Sequence, residues 1–233
     1  MNNTRSIDQD VLEQIIREVF EKMNTTQASP RTEPSKDNDF TIDPQRIPVG
    51  ISVRHVHICK EDIEKLFGPR AELHPERTLY QGDFAANETV SLIGPKMRLL
   101  ERVRILGPMR DRTQVELAKT DTIFLGVDAP LRMSGDLKDS APITIIGPKG
   151  VVELKEGCIR AMRHIHMNTK EAKYFGLKDG ELVKVRVGGP SAVTFDNVVV
   201  RVSDNVRLQI HLDTDEGNVA DINCKREIEI IKD

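Results

Sequence analysis

Long apolar runs are absent from this chain. No uninterrupted apolar stretch exceeds three residues in 233, whereas a bilayer-spanning helix needs about 20 predominantly apolar ones, so no transmembrane helix is expected. An excess of positive charge is absent too: Lys and Arg total 34 against 37 Asp and Glu, a formal charge of −3, and bulk electrostatics give no footprint for nucleic acid. Cysteine is scarce. Cys59, Cys158 and Cys224 are an odd number at wide spacing, which argues against a disulfide framework and for a reducing compartment. The N-terminus lacks the cationic start, apolar block and small-residue cleavage site of a secretory signal, so the chain reads as intracellular. Neither a GxxxxGK(S/T) loop nor a GxGxxG turn occurs, which leaves nucleotide use through those folds without support.

What is present divides into an arm and a body. Val11, Leu12, Ile15, Ile16, Val19, Phe20 and Met23 recur at steps of three and four, the spacing of one apolar helical stripe. Ser6 and Gln9 can form a capping box at its start. An amphipathic helix is expected over 1–23, followed by a linker over 24–46 that carries Pro30, Pro34 and Pro44 and too little apolar surface to repay ordering. Such a short helix needs a partner for its stripe. Two are open: its own body, or a groove on another protein. A membrane surface is disfavoured, because the polar face carries Asp8, Asp10, Glu13, Glu18 and Glu21.

From residue 47 onwards, runs rich in Val, Ile and Leu alternate with Gly and Pro, at 90–93, 103–106, 143–146, 182–187, 198–202, 208–212 and 228–231. That pattern predicts a mainly β body built as barrels or sandwiches. Helical pieces are expected only at 60–67 and 169–175. These two lie in an internal repeat, RHVHICKEDIEKLFG from Arg54 and RHIHMNTKEAKYFG from Arg163. A second echo pairs VSLIGPK from Val90 with ITIIGPK from Ile143. Duplicated units pack as related halves, so two similar β-domains with a site between them are expected.

Five of the six histidines fall in three places: His55 with His57, His164 with His166, and His211 in QIHLDTDE. On a strand, residues i and i+2 share a face, so each His-x-His presents two imidazoles side by side, a chelating arrangement that suits zinc and other first-row divalent ions. One such pair alone reads more readily as ordinary strand histidines, but the duplication favours metal. Asp213 and Asp215 are candidate partners for the other nitrogen of His211, and Cys59 can extend the first pair's face. Arg110 and Arg112 in GPMRDRTQVELAKTD can hold an oxyanion, and Glu116 can complete a metal's shell. Ser134 and Gly135, in LRMSGDLKDSAP, offer backbone amides to an anion.

This combination resembles the PduL-type phosphate propanoyltransferases of bacterial microcompartments. The matching pieces are IPVGISVRHVH, QGDFAANETVSLIGPK, VRILGPMRDRTQVELAKTD, LRMSGDLKDSAPITIIGPKG, RHIHM, FGLKDGELVKVRVGG, TFDNVVVRV and HLDTDEGNVA, in family order over residues 47 to about 220. The resemblance implies two β-barrels capped by short helices, one formed by 47–53 plus 162–233 and the other by 54–161. It implies two zinc ions, one held by His55, His57 and Glu116 with the CoA sulfur, the other by His164, His166 and His211 with waters. Arg110 matches the phosphate-holding arginine and Ser134 a polar residue at the site, while Ser52, Arg77, Arg104, Leu106 and Asn218 match positions along the CoA pocket. The arm is similar to the encapsulation peptides that lead family members into a microcompartment lumen, which implies shell or cargo proteins as partners and a setting such as propanediol degradation. Cys59 stands where a hydroxyl residue is commoner, and Met97 where Gly is frequent.

The implied reaction interconverts acyl-CoA plus phosphate with acyl phosphate plus CoA. Phosphate, oriented by Arg110 and the three-histidine metal, attacks the thioester carbonyl, and the second metal stabilises the departing thiolate. No acyl-enzyme is required. Propanoyl is the first acyl group to consider and acetyl the second, since a methylene in an apolar pocket is worth only ~1–3 kcal/mol. A metal-binding scaffold and a metal-dependent thioesterase are the alternatives. A homo-oligomer is expected, with no nucleic-acid or membrane partner.

Overall fold

The computed structural model describes residues 47–79, 82–222 and 227–231, all within one compact unit spanning Ile42–Asp233. The helix expected over 1–23 and the linker over 24–46 lie outside the described residues. Among those described, no helix is long and apolar enough to cross a membrane.

The chain builds two closed six-stranded barrels. The terminal barrel joins β1 (Ile47–Ser52) to β10 (His164–Met167), β11 (Leu182–Val187), β12 (Val193–Val202), β13 (Gln209–Asp213) and β14 (Glu227–Ile231), in the order β1-β13-β10-β12-β11-β14. The middle barrel uses β2 (His55–His57), β4 (Phe84–Ile93), β5 (Leu99–Gly107), β6 (Gln114–Glu116), β8 (Ala141–Ile146) and β9 (Val151–Ala161) in the order β9-β6-β2-β5-β4-β8. Two extra strands, β3 (Pro75–Thr78) and β7 (Leu131–Arg132), pair with β4 and β9. The rings are equivalent strand for strand: β1–β13, β10–β12, β9–β6 and β2–β5 are parallel, and every other pair closing the two rings is antiparallel.

Period-two alternation explains each barrel's core. Val56, Ile105 and Val115 point into the middle barrel and Ile165, Val200 and Ile210 into the terminal one, all buried, while their neighbours at i±1 face outward. Truncating one of these, as Ile105→Ala, costs about 2–5 kcal/mol through lost transfer energy and the cavity left behind.

Of the seven runs expected as strands, six lie wholly in strands and the seventh, 208–212, loses only Leu208 ahead of β13. Those runs do not include β9, whose Glu153, Lys155 and Glu156 break the apolar signature and whose Gly157 has φ 147°, nor the short β3 and β7. Four helices are described: α1 (Lys60–Phe67), α2 (Lys119–Leu125), α3 (Thr169–Phe175) and α4 (Thr214–Val219). They follow β2, β6, β10 and β13, the four strands that carry the chelating candidates. Two were not anticipated. For α4 the signal was Asp213 with Glu216, which form a reciprocal capping box, so the strand ends at Asp213 instead of running on through Asp215.

The second echo has a different meaning from the first. VSLIGPK and ITIIGPK belong to β4 and β8, which pair with each other antiparallel inside one barrel. Each Gly-Pro-Lys turn then satisfies a helix C-terminus: the Lys96 N–H donates to the Leu125 carbonyl of α2 and the Lys149 N–H to the Leu66 carbonyl of α1. It marks a local pseudo-symmetry within the middle barrel, not a repeat of the two halves.

Candidate metal centre and acyl-transfer site

The chain crosses between barrels twice, at 53–54 from β1 to β2 and at 162–163 from β9 to β10. Each crossing arginine is held by the helix that follows the third donor strand. Arg54 donates to both carboxylate oxygens of Asp121 at 2.9 and 2.8 Å, and Arg163 pairs with Glu216 at 3.3 Å. Directly after each crossing comes His-x-His. On β2 the outward residues are His55 and His57; on β10 they are His164 and His166. The antiparallel neighbour supplies the third donor in the same register: Glu116 lies opposite His55, and His211 opposite His164. Glu116 and His211 are thus equivalent positions of the duplication.

Two three-donor clusters result, His55–His57–Glu116 and His164–His166–His211, each with its donor atoms within 4.8 Å of one another. The His55 and His57 Nε2 atoms stand 3.4 and 3.7 Å from Glu116 oxygens, and the Nε2 atoms of His164 and His166 are 3.1 Å apart. Zinc bonds of ~2.0–2.2 Å at tetrahedral angles place ligand atoms about 3.3 Å apart, so both clusters fit such an ion. Backbone carbonyls orient the rings: Val53 accepts from His55 Nδ1 at 2.8 Å and Met162 from His164 Nδ1 at 2.9 Å, which turns Nε2 inward as the donor. Asp213 and Asp215 do not take that part. Asp213 caps α4, and Asp215 accepts from the backbone N–H and hydroxyl of Thr120 at 2.7 Å, linking α4 to α2.

Burial and mutual charge keep most of these imidazoles neutral. His57 is pushed down to about 3 by burial and by the charges of His55 and Arg110. His211 falls to about 3 and His166 to about 4 through burial and their neighbouring histidines, and burial lowers His164 as well. His55 is the exception: burial opposes its charge, but the Glu116 carboxylate and the Val53 carbonyl outweigh it and raise its pKa. Glu116 is held far below the usual carboxylate range, since the two histidines and the Ser134 hydroxyl outweigh the burial that would raise it.

Both clusters line one cleft of about 1210 Å³. Arg110 reaches it from the loop after β5, which is pinned where the Arg110 N–H donates to the Ile58 carbonyl at 2.9 Å. Its guanidinium donates to Ser134 Oγ at 3.3 Å, and that hydroxyl donates to Glu116 at 2.8 Å. Gln114, not singled out from the sequence, completes the set by donating to both Glu116 and Ser134 and accepting the Gly135 N–H at 2.8 Å. That amide is therefore already occupied. The available signal was Gln114's position two residues before Glu116, on the same strand face. Gly50 makes room on the opposite wall, because a Cβ there would meet the Gln209 amide at 3.1 Å and the His211 ring at 3.3 Å.

A family model described as phosphate propanoyltransferase matches residues 48–223. The chain belongs to this family of acyltransferases. Relatives named phosphate propanoyltransferase include a Lachnoclostridium phytofermentans protein, 48% identical over 79% of this chain and 87% of the relative. A Thermotoga maritima protein is 50% identical over 76% and 85%. One from Rhodopseudomonas palustris is 41% identical over 91% and 92%.

Of the remaining site candidates, Ser52, Arg77, Arg104 and Leu106 line the cleft with Arg110, Glu116 and Ser134. Arg104 is also tied to Glu76 at 2.7 Å and to the Ala86 carbonyl at 2.8 Å. Asn218 is exposed on α4 and is not among the lining residues. Arg112 pairs with Glu156 at 3.7 Å away from that lining. Cys59 belongs to neither donor cluster. It occupies the N-cap position of α1, its N–H donating to Thr113 Oγ1 at 3.1 Å and its sulfur near the same hydroxyl, which donates to Asp62 at 2.7 Å.

Proposed function

We propose that this chain interconverts acyl-CoA and phosphate with acyl phosphate and CoA, with propanoyl as the acyl group and acetyl as the variant to test beside it. The observation that carries the reading is the convergence of two three-donor clusters and Arg110 on one cleft, in a chain whose curated relatives are named for that transfer. Zinc is the ion proposed for both clusters, since imidazole with at most one carboxylate suits it better than hard oxygen-seeking cations. His55, His57 and Glu116 would hold one ion and His164, His166 and His211 the other; bound zinc supplies Lewis-acid stabilisation of charge on oxygen and on departing sulfur.

The chain's own groups do the rest. Arg110 orients phosphate through its planar fork, and Ser134 steadies Arg110 while donating to Glu116. Ser52, Arg77, Arg104 and Leu106 line the path proposed for CoA. A phosphate oxygen adds to the thioester carbonyl; the C–O bond forms, the C–S bond breaks, and the electron pair leaves on the CoA sulfur. Cys59 at its helix cap is not needed as a nucleophile. The N-terminal stripe is proposed to dock on microcompartment shell or cargo proteins and so place the enzyme in the lumen, a reading supported by its position ahead of the matched residues 48–223.

The test is metal analysis combined with CoA release from propanoyl-CoA and acetyl-CoA, with and without phosphate. Two zinc per chain and strictly phosphate-dependent release are expected, faster with propanoyl-CoA. Release without phosphate makes the protein a thioesterase, and no release from metal-loaded protein makes it a scaffold. Deleting residues 1–45 should leave turnover intact and abolish co-assembly with shells or cargo; retained co-assembly overturns the targeting role.

A further inference from the structure

The outer face of the terminal barrel carries a cation that the duplication does not require. Arg201 lies on β12 directly opposite His166, between the core residues Val200 and Val202 in sequence, and lines the cleft. In the middle barrel the equivalent residue, opposite His57, is Leu106. Nothing in the strand pattern therefore demands an arginine here.

The cleft it lines mixes imidazoles and guanidinium groups with the carboxylates of Glu116 and Asp83. The positive charge of Arg201 is felt at His164 and His166 on its own barrel and at Arg110 across the cleft. Of the other arginines lining the cleft, Arg54, Arg104 and Arg163 have carboxylate partners in Asp121, Glu76 and Glu216, and Arg77 and Arg102, like Arg201, form no ion pair among the described residues. Among the described residues no carboxylate forms an ion pair with Arg201. Two guanidinium groups facing one space repel each other unless an anion comes between them, and a tetrahedral dianion has oxygens enough to accept from both.

We infer that Arg201 is a second phosphate-holding residue: Arg110 from one barrel and Arg201 from the other grip inorganic phosphate, or the phosphate end of an acyl phosphate, between the two donor clusters. This rests on the transferase reading above and adds to it the site's second anion contact. Each barrel then contributes one arginine to phosphate as each contributes one donor cluster, although the two arginines come from inequivalent positions.

The experiment uses the full metal-loaded chain with Arg201→Met and Arg201→Lys. Inorganic phosphate is titrated calorimetrically, and KM is measured separately for phosphate and acyl-CoA. Arg201→Met should weaken phosphate binding and raise its KM by about 10-fold or more, leave the KM for acyl-CoA within about 2-fold, and keep the wild-type metal content. Arg201→Lys, retaining the charge without the fork, should fall between. Unchanged phosphate affinity overturns the inference. So does a rise confined to the KM for acyl-CoA, which would assign Arg201 to the phosphates of CoA. If the wild type shows no phosphate-dependent turnover, the transferase reading fails, yet the titration still decides: phosphate bound by the wild type and lost in Arg201→Met upholds the anion site, and no difference removes it.

Discussion

The two barrels share every strand pairing of their rings and differ in what they place on the shared cleft. The middle barrel offers two histidines and a carboxylate, all buried; the terminal barrel offers three histidines in a more open setting. A single change at equivalent positions, Glu116 against His211, separates a donor set with a negative charge from a neutral one. An ion held by the first is partly neutralised by its own ligands, whereas one held by the second keeps its full positive charge for an incoming anion. Under the proposed function, matching strand pairings would divide the two halves of the transfer, with sulfur on one side and phosphate on the other. The scaffold sets where donors stand, and one side chain per barrel sets the charge of the donor set.

Removing a donor pair should test that division most severely. His55→Ala with His57→Ala, and separately His164→Ala with His166→Ala, should each lose about one metal equivalent per chain by elemental analysis and about 10³-fold or more in turnover, since metal stabilisation of this kind is worth several kcal/mol. Full metal content in either folded variant would refute the two-site division. A smaller loss is expected for Arg110→Lys. It should cost about 10²-fold in turnover at subsaturating phosphate while sparing both metals, because lysine cannot reproduce the fork; equal activity would take Arg110 out of the site.

Acid should affect the metal-free barrels unequally. His57, His166 and His211 are held at about 3, 4 and 3 in the folded chain, below about 6.5 when unfolded. Between those values the unfolded chain binds more protons, so stability falls as pH drops from about 6.5 towards 4, by up to about 1.4 kcal/mol for each pH unit at the well-buried His57 and His211 and by less at the more exposed, solvent-screened His166. His55, with its raised pKa, contributes the opposite slope. Chelated protein should therefore show a denaturation midpoint that declines over this window, and His166→Gln with His211→Gln should flatten the decline more than His57→Gln alone; equal slopes would contradict the assignment. The mildest effect concerns Met97, which sits in the left-handed region at φ 55° and is 79% exposed. Met97→Gly should relieve strain and raise stability by about 0.5–1 kcal/mol in a denaturant titration; a loss would mean that the side chain makes a contact worth more than the strain.

The sequence carried most of the donor geometry because the required signal is short in range. Two His-x-His pairs on strands must present four imidazoles outward, and the expected helices at 60–67 and 169–175 occur at those bounds. The β-barrel character was legible from the spacing of apolar runs, with barrel identity sharpened by family resemblance. What stayed hidden depends on pairing between distant strands. That Gln114 joins Ser134 and Glu116, and that Arg201 stands opposite His166, follows from register, which one strand's residues do not encode. Asp213 and Asp215 were misjudged because alternation was continued past a capping box. Asn218 is carried by resemblance alone; it is exposed on α4 and is not among the residues lining the cleft.

The crossings that bring the histidine pairs together also set an order of events during synthesis. Every strand of the middle barrel's ring lies between residues 55 and 161, so that ring can close while the rest of the chain is still being made. The other barrel begins with Ile47–Ser52 yet cannot close until Glu227–Ile231 has emerged. Its first strand, with the core residues Ile47 and Val49, must wait through more than half of translation for its parallel neighbour at Gln209–Asp213. The crossing that follows that waiting strand is tied to the middle barrel through Arg54 and Asp121. Non-local parallel pairing of this kind is slow and leaves apolar edges open. The exchange that builds one cleft from two barrels thus makes the three-histidine wall the last part of the site to form, and the part most open to aggregation if the ribosome stalls.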